Sequence, residues 1–137
     1  MKQGLKFYLC KRCGNLADLV AGGKVTPACC GEPMAELVPN TVEASKEKHL
    51  PVVVQGCVCE CECACKGCLT IEVGSVPHPM EEAHHIVFIA VETRDGARRK
   101  MLAPGAAPKA GACCCDDPPV AAYAYCNLHG LWKVDIQ

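Results

Sequence analysis

Aromatic residues are scarce in this chain of 137 residues: one Trp, three Tyr and two Phe make up 4% of it. A hydrophobic content of 50% can still supply a core. Net charge is nearly absent, at −1, which removes the electrostatic reason to expect nucleic acid as a partner. No apolar run approaches the roughly 18–20 residues of a membrane-spanning helix, so no membrane partner is expected. The opening "MKQGLKFYLCKRCG" lacks the apolar stretch and small-residue cleavage site of a secretory signal, and a cytoplasmic location is the default expectation. A convincing helical period and a long-period repeat are missing as well.

Cysteine is what the chain has in excess, with 14 residues. Disulfide scaffolds belong to oxidising compartments; in a reducing one this density points to metal. Residues 1–37 read as short apolar pieces punctuated by Gly22-Gly23, Pro27, Gly31 and Pro33, the texture of a small metal-stapled knuckle. Residues 38–48, "VPNTVEASKEK", turn polar and read as a linker. Short β-rich runs follow at 50–55, 69–73, 85–92, 98–102 and 120–125. They are separated by "GSVPHP", "RDG", "APGAAPKAG" and "DDPP". Such spacing predicts a mainly β fold, an antiparallel sandwich or barrel, over residues 49–137.

Cys10-x-x-Cys13 and the adjacent pair Cys29-Cys30 can offer four thiolates to one tetrahedral ion. Gly14 lets the backbone bend back after the first pair. Neighbouring side chains tend to diverge, so a distorted site is expected from Cys29 and Cys30. Four sulfurs suit iron or zinc, giving either a one-electron FeS4 centre or a structural zinc ribbon. A segment this short cannot hold a core unaided, and either metal would staple its fold.

Four histidines fall in pointed local contexts. His49 lies in "EKHLP", His78 and His84 in "GSVPHPMEEAHH", and His129 with Cys126 in "YCNLHGLW". Pro77 and Pro79 restrict the backbone on both sides of His78, which suits a ligand that must hold still. Imidazole serves iron, zinc and copper, and a single thiolate adds charge and electron donation.

These three segments closely resemble the iron-site segments of the superoxide reductase, or desulfoferrodoxin, family. "YLCKRCGN…CCGEPM" resembles the desulforedoxin-like domain of the two-iron class, and "NTVEASKEKH" its linker. The resemblance covers nearly the whole chain except 56–68 and roughly 106–119. It implies a small desulforedoxin-like FeS4 domain followed by an immunoglobulin-like antiparallel β-sandwich. It further implies a mononuclear iron with His49, His78, His84 and His129 in its equatorial plane, an axial Cys126 thiolate and an open sixth position. His85 stands where the family commonly has an aromatic residue. Alternation along a strand would let only one of His84 and His85 face the metal, and the family spacing selects His84.

The implied reaction is one-electron reduction of superoxide to hydrogen peroxide, with a rubredoxin-like donor restoring the iron and a homodimer as the assembly. Lys48, beside His49, is the candidate for steering the anion and organising a protonating water. Glu47 resembles the family glutamate that closes the site in the ferric state. Glu43, Glu81 and Glu82 lack such a context.

Two other functions compete: soft-metal sequestration, and electron transfer at a saturated iron without superoxide turnover. Nine thiols lie outside the iron sets, at Cys57, Cys59, Cys61, Cys63, Cys65, Cys68, Cys113, Cys114 and Cys115. Their number is odd, so intrachain disulfides cannot pair them all. Residues 57–65 read as a strand with thiols on one face, and Lys66-Gly67 as a hairpin tip. Those thiols can be small packed hydrophobes, an additional soft-metal or redox site, or part of a disordered segment.

Overall fold

Buried Leu69, Ile71 and Val73 alternate with half-buried Thr70 and exposed Glu72, the period-2 signature of a strand with one face on a core. The computed structural model describes residues 4–41, 46–55, 68–113 and 117–136. The chain divides into two units, Met1–Val38 and Pro39–Gln137.

In the first unit β1 (Phe7–Leu9) lies between β2 (Leu16–Asp18) and β5 (Ala35–Glu36). A separate hairpin joins β3 (Ala28–Cys29) to β4 (Glu32–Pro33). Its hydrophobic cluster holds Tyr8, Cys10 and Met34, with Ala17, Leu19 and Cys29 packed partly against it. So small a core stabilises little, and one of its members is itself a candidate metal ligand.

The first regular element of the second unit is one helical turn, α1 (Lys46–His49), at the end of the stretch read as linker. Pro51 then starts β6 (Pro51–Gln55), which pairs with β7 (Cys68–Val73), and β7 pairs with β10 (Lys109–Cys113). A second sheet takes the order β12 (Gly130–Asp135), β11 (Pro119–Cys126), β8 (Ile86–Thr93), β9 (Ala97–Met101). All pairings are antiparallel. The two sheets form the antiparallel β-sandwich, and the core between them interleaves large and small side chains. Leu69, Ile71, Val73, Ile89 and Val91 meet Ala110, Ala112, Ala122 and Ala124. This aliphatic packing explains how a chain with few aromatics buries its interior.

Two strands depart from the sequence reading. Strand β10 runs through "KAGAC", part of it taken as a separator because alanine and glycine are poor strand formers. Backbone pairing of Lys109–Cys113 with Cys68–Glu72 overrides that propensity. Strand β12 was not anticipated, although Trp132, Val134 and Ile136 alternate with Lys133 and Asp135; its opening Gly130 and the adjacent apolar pair Leu131-Trp132 start it inside the segment read as a ligand loop.

Candidate metal centres

Antiparallel pairing sets Pro51 against Val73, and Cys126 against both Ile86 and Gly130. The start of β6, the end of β7, the start of β8 and the turn from β11 to β12 therefore share one end of the sandwich. Ala122, Ala124 and Cys126 follow one another on the inward face of β11, so strand alternation itself delivers the Cys126 thiol to that end. A register shift between Tyr125 and Cys126 leaves Val87 as an extra residue on the paired strand β8 there. Gly130, at φ 80°, accepts the left-handed conformation that closes the short turn carrying His129.

His49 ends α1, while His78 and His84 occupy the β7–β8 connection. His84 does not lie in a strand, contrary to the alternation argument: it closes a tight turn through reciprocal backbone bonds with Glu81 at 2.9 and 3.1 Å. Glu81 and Glu82 are exposed.

The four rings form a square. Centroids of neighbours are 4.7 Å apart for His49–His78, 4.7 Å for His78–His84, 5.0 Å for His84–His129 and 4.8 Å for His129–His49. The His49–His84 diagonal is 6.4 Å. Neighbouring rings stand at 74–84° to one another. Ligand atoms of His49, His78, His84 and Cys126 lie within 4.8 Å of one another. His129 joins them through Nδ1, 3.1 Å from His49 Nε2 and 3.8 Å from Cys126 Sγ. Two nitrogens at right angles on metal bonds of about 2.1 Å would be roughly 3.0 Å apart, so His49 and His129 suit adjacent coordination positions.

The electrostatics favour neutral imidazoles facing inward. His78 is 3% exposed, and burial pulls its pKa from 6.5 down to about 4. Its Nδ1 donates to the Pro79 carbonyl at 2.6 Å, which fixes the tautomer and leaves Nε2 as a lone pair. Burial lowers the His84 pKa too, with the charges of His129 and Lys48 acting in the same direction. Nε2 of His78 and of His84 are buried without a hydrogen-bond partner among the described residues. Such orphaned nitrogens cost about 1–3 kcal/mol each unless a ligand takes them, so the donors fit a resident metal ion. Cys126 is fully buried, and burial raises its pKa against the backbone N–H groups of Leu128 and His129, which lower it. Only a cation at this position would hold that sulfur as a thiolate at neutral pH.

The first unit gathers Cys10, Cys13, Cys29 and Cys30 within 4.8 Å. Cys13 Sγ is 3.5 Å from Cys29 Sγ, and Cys29 Sγ 4.0 Å from Cys30 Sγ. Tetrahedral bonds of about 2.3 Å would separate sulfurs by roughly 3.8 Å. Adjacent cysteines converge because Cys30 and Gly31 form the two-residue loop between β3 and β4 with φ of 53° and 74°. Both left-handed residues mark a type I′ turn. Without a cation the thiols resist shared ionisation: the Cys10 pKa falls to about 7, chiefly through the Cys13 backbone N–H, while that of Cys30 rises to about 12 beside the Cys13 and Cys10 sulfurs.

A family description, Desulfoferrodoxin, matches residues 41–135. The chain belongs to the desulfoferrodoxin family. It is 40% identical over 136 residues to the desulfoferrodoxin of Syntrophotalea carbinolica, covering 98% of this chain and 99% of that one. The desulfoferrodoxin of Nitratidesulfovibrio vulgaris is 39% identical over 135 residues, with coverage of 98% and 99%. Among solved structures, the superoxide reductase from Treponema pallidum superposes with a TM-score of 0.75 at 32% identity, covering 96% of this chain and 99% of that one. The histidine–cysteine and four-cysteine donor sets suit the two-iron class of desulfoferrodoxins.

Lys48 is exposed, and its charge is felt at His84. Glu47 lies outside the residues whose side chains are described, as do Cys57, Cys59, Cys61, Cys63, Cys65, Cys114 and Cys115. Half-buried Cys68 opens β7, and register pairs it with Cys113 of β10. Two residues escaped the sequence reading. Trp132 donates its indole N–H to the His129 carbonyl at 3.1 Å, and Asn127 hydrogen-bonds both sides of His84. Both lie inside "YCNLHGLW", and a sole Trp beside a ligand pair was the available signal.

Proposed function

We propose that this desulfoferrodoxin reduces superoxide to hydrogen peroxide, taking up one electron and two protons per superoxide. The observation that carries this reading is the square of four imidazoles closed by a buried thiol. Iron held by these donors would supply the electron and one further exchangeable position. The chain's own part is largely electrostatic. Burial keeps His78 and His84 uncharged, so one thiolate leaves a net local charge of about +1 with a ferrous ion, favourable to a small anion. Exposed Lys48 adds to that attraction and holds the water that delivers a proton. Glu47 is assigned the carboxylate that closes the site after product departs.

In this reading residues 1–37 form the FeS4 domain, joined by residues 38–48 to a catalytic domain at 49–137, with His49, His78, His84, Cys126 and His129 as its iron ligands. The Cys10, Cys13, Cys29 and Cys30 site takes iron, zinc being the alternative occupant. A rubredoxin-like protein restores the electron, the chain pairs as a homodimer, and the location is cytoplasmic.

Anaerobic purification, metal analysis and a pulsed superoxide assay test the proposal together. About two irons per chain and rapid superoxide consumption are expected, with consumption strongly impaired in Cys126→Ser. Unchanged turnover in that variant would sink the assignment. Many zinc-like ions without turnover would favour sequestration, and two redox-active irons without turnover would favour electron transfer.

A further inference from the structure

Asn127 sits between two metal ligands in sequence and grips a third in space. Its Nδ2 donates to the Ala83 carbonyl at 3.0 Å, and its Oδ1 accepts the His85 backbone N–H at 2.9 Å. Those groups flank His84 on either side. The Asn127 backbone N–H also donates to the His85 carbonyl at 3.2 Å. Three bonds thus tie the turn carrying His84 to the turn carrying Cys126 and His129. The same turn presents the N–H groups of Leu128 and His129 to the Cys126 sulfur.

We propose that Asn127 is a positioning residue that sets the electronic character of the histidine–cysteine centre, by locking the His84 turn against the turn that hydrogen-bonds the Cys126 sulfur. A side-chain amide suits this task because one planar group donates and accepts at once, spanning a carbonyl and an N–H two residues apart. Aspartate would lose the donor, and alanine both contacts. The backbone bond from Asn127 to His85 survives either change, so the turns should still pair while their spacing relaxes. Weaker N–H contacts to a thiolate sulfur make it a stronger donor, which favours the oxidised metal. The inference rests on the histidine–cysteine ligand set proposed above, and not on superoxide being the oxidant.

The test is Asn127→Ala in the full chain loaded with iron, with Asn127→Ser as the milder variant should alanine prevent folding. The midpoint potential of the histidine–cysteine centre should fall and its sulfur-to-iron absorption band should move to longer wavelength. Metal retention against a chelator should weaken about 10–100-fold, as for other residues that orient ligands. The four-cysteine centre, in the other unit, serves as internal reference and should not change. Amide exchange at His85 should accelerate. If exchange accelerates while the potential and band stay put, Asn127 is a structural clamp only and the proposal is overturned; unchanged exchange overturns it too. A wild-type chain that fails the superoxide assay would remove the proposed activity and leave this test intact.

Discussion

Trp132 lies against His49, with ring centroids 5.0 Å apart and planes 26° from parallel, while its indole N–H donates to the His129 carbonyl at 3.1 Å. One buried side chain thereby touches two neighbours of the imidazole square. Trp132→Phe keeps an aromatic face for His49 but strands the His129 carbonyl and leaves a small void. A loss of about 2–3 kcal/mol in urea unfolding is expected, with a perturbed absorption of the metal centre. Trp132→Leu should cost more, because the stacking face goes as well. A centre with unaltered spectrum in both variants would refute the supporting role.

Gly31 makes the adjacent-cysteine ligand pair feasible. A Cβ at this position would meet nothing within 4 Å, yet φ is 74°, so the penalty for Gly31→Ala is one of backbone conformation alone. It should be about 1–2 kcal/mol, and should appear as several-fold faster loss of metal from the Cys10, Cys13, Cys29 and Cys30 site to a chelator. Gly31→Asn should lose metal more slowly than alanine does, since asparagine tolerates the left-handed region. Equal rates for the wild type and both variants would rule out the turn as the constraint.

The two metal centres differed in how far the sequence revealed them. Cys10-x-x-Cys13 and Cys29-Cys30 advertise a four-sulfur site by spacing, but the left-handed Cys30 that lets neighbours converge is a backbone property no residue name discloses. The histidines were legible only as three separated segments, because their square is assembled by α1 and by β6, β7, β8, β11 and β12 meeting at one sandwich end. Alternation misled at His84, which sits in a turn. Strand β10 was hidden because its alanines owe their place to facing larger residues across the core, a property of pairing and not of propensity. Asn127 and Trp132 act through backbone groups of residues distant in sequence or three positions away, and such contacts leave no periodic trace.

Lys48 is exposed and adjoins His49, and its positive charge reaches His84. If it steers superoxide, Lys48→Ile should slow the second-order step about two- to fivefold at low ionic strength and flatten its salt dependence. Lys48→Arg keeps the charge and should retain both. Pulse-radiolysis rates across a salt series measure this directly. Identical slopes for the wild type and Lys48→Ile would show that the steering charge lies elsewhere.

His78 makes the metal-free protein sensitive to acid. Its folded pKa is about 4 against 6.5 for the free side chain. Between those values the unfolded chain binds a proton that the folded chain refuses, so stability falls as pH falls through this window and levels off below it. From pH 7 to pH 5 this single group should remove about 2 kcal/mol, and His84, shifted downward for the same reason, acts with the same sign. The sole tryptophan, Trp132, lies in the second unit and gives a fluorescence signal for its urea unfolding. His78→Gln should flatten the dependence, because glutamine has no proton to gain. Bound metal should delay the loss to lower pH, since protons must then compete with the ion for Nε2. A metal-free wild type equally stable at pH 7 and pH 5 would show that His78 can take up its proton without leaving the fold.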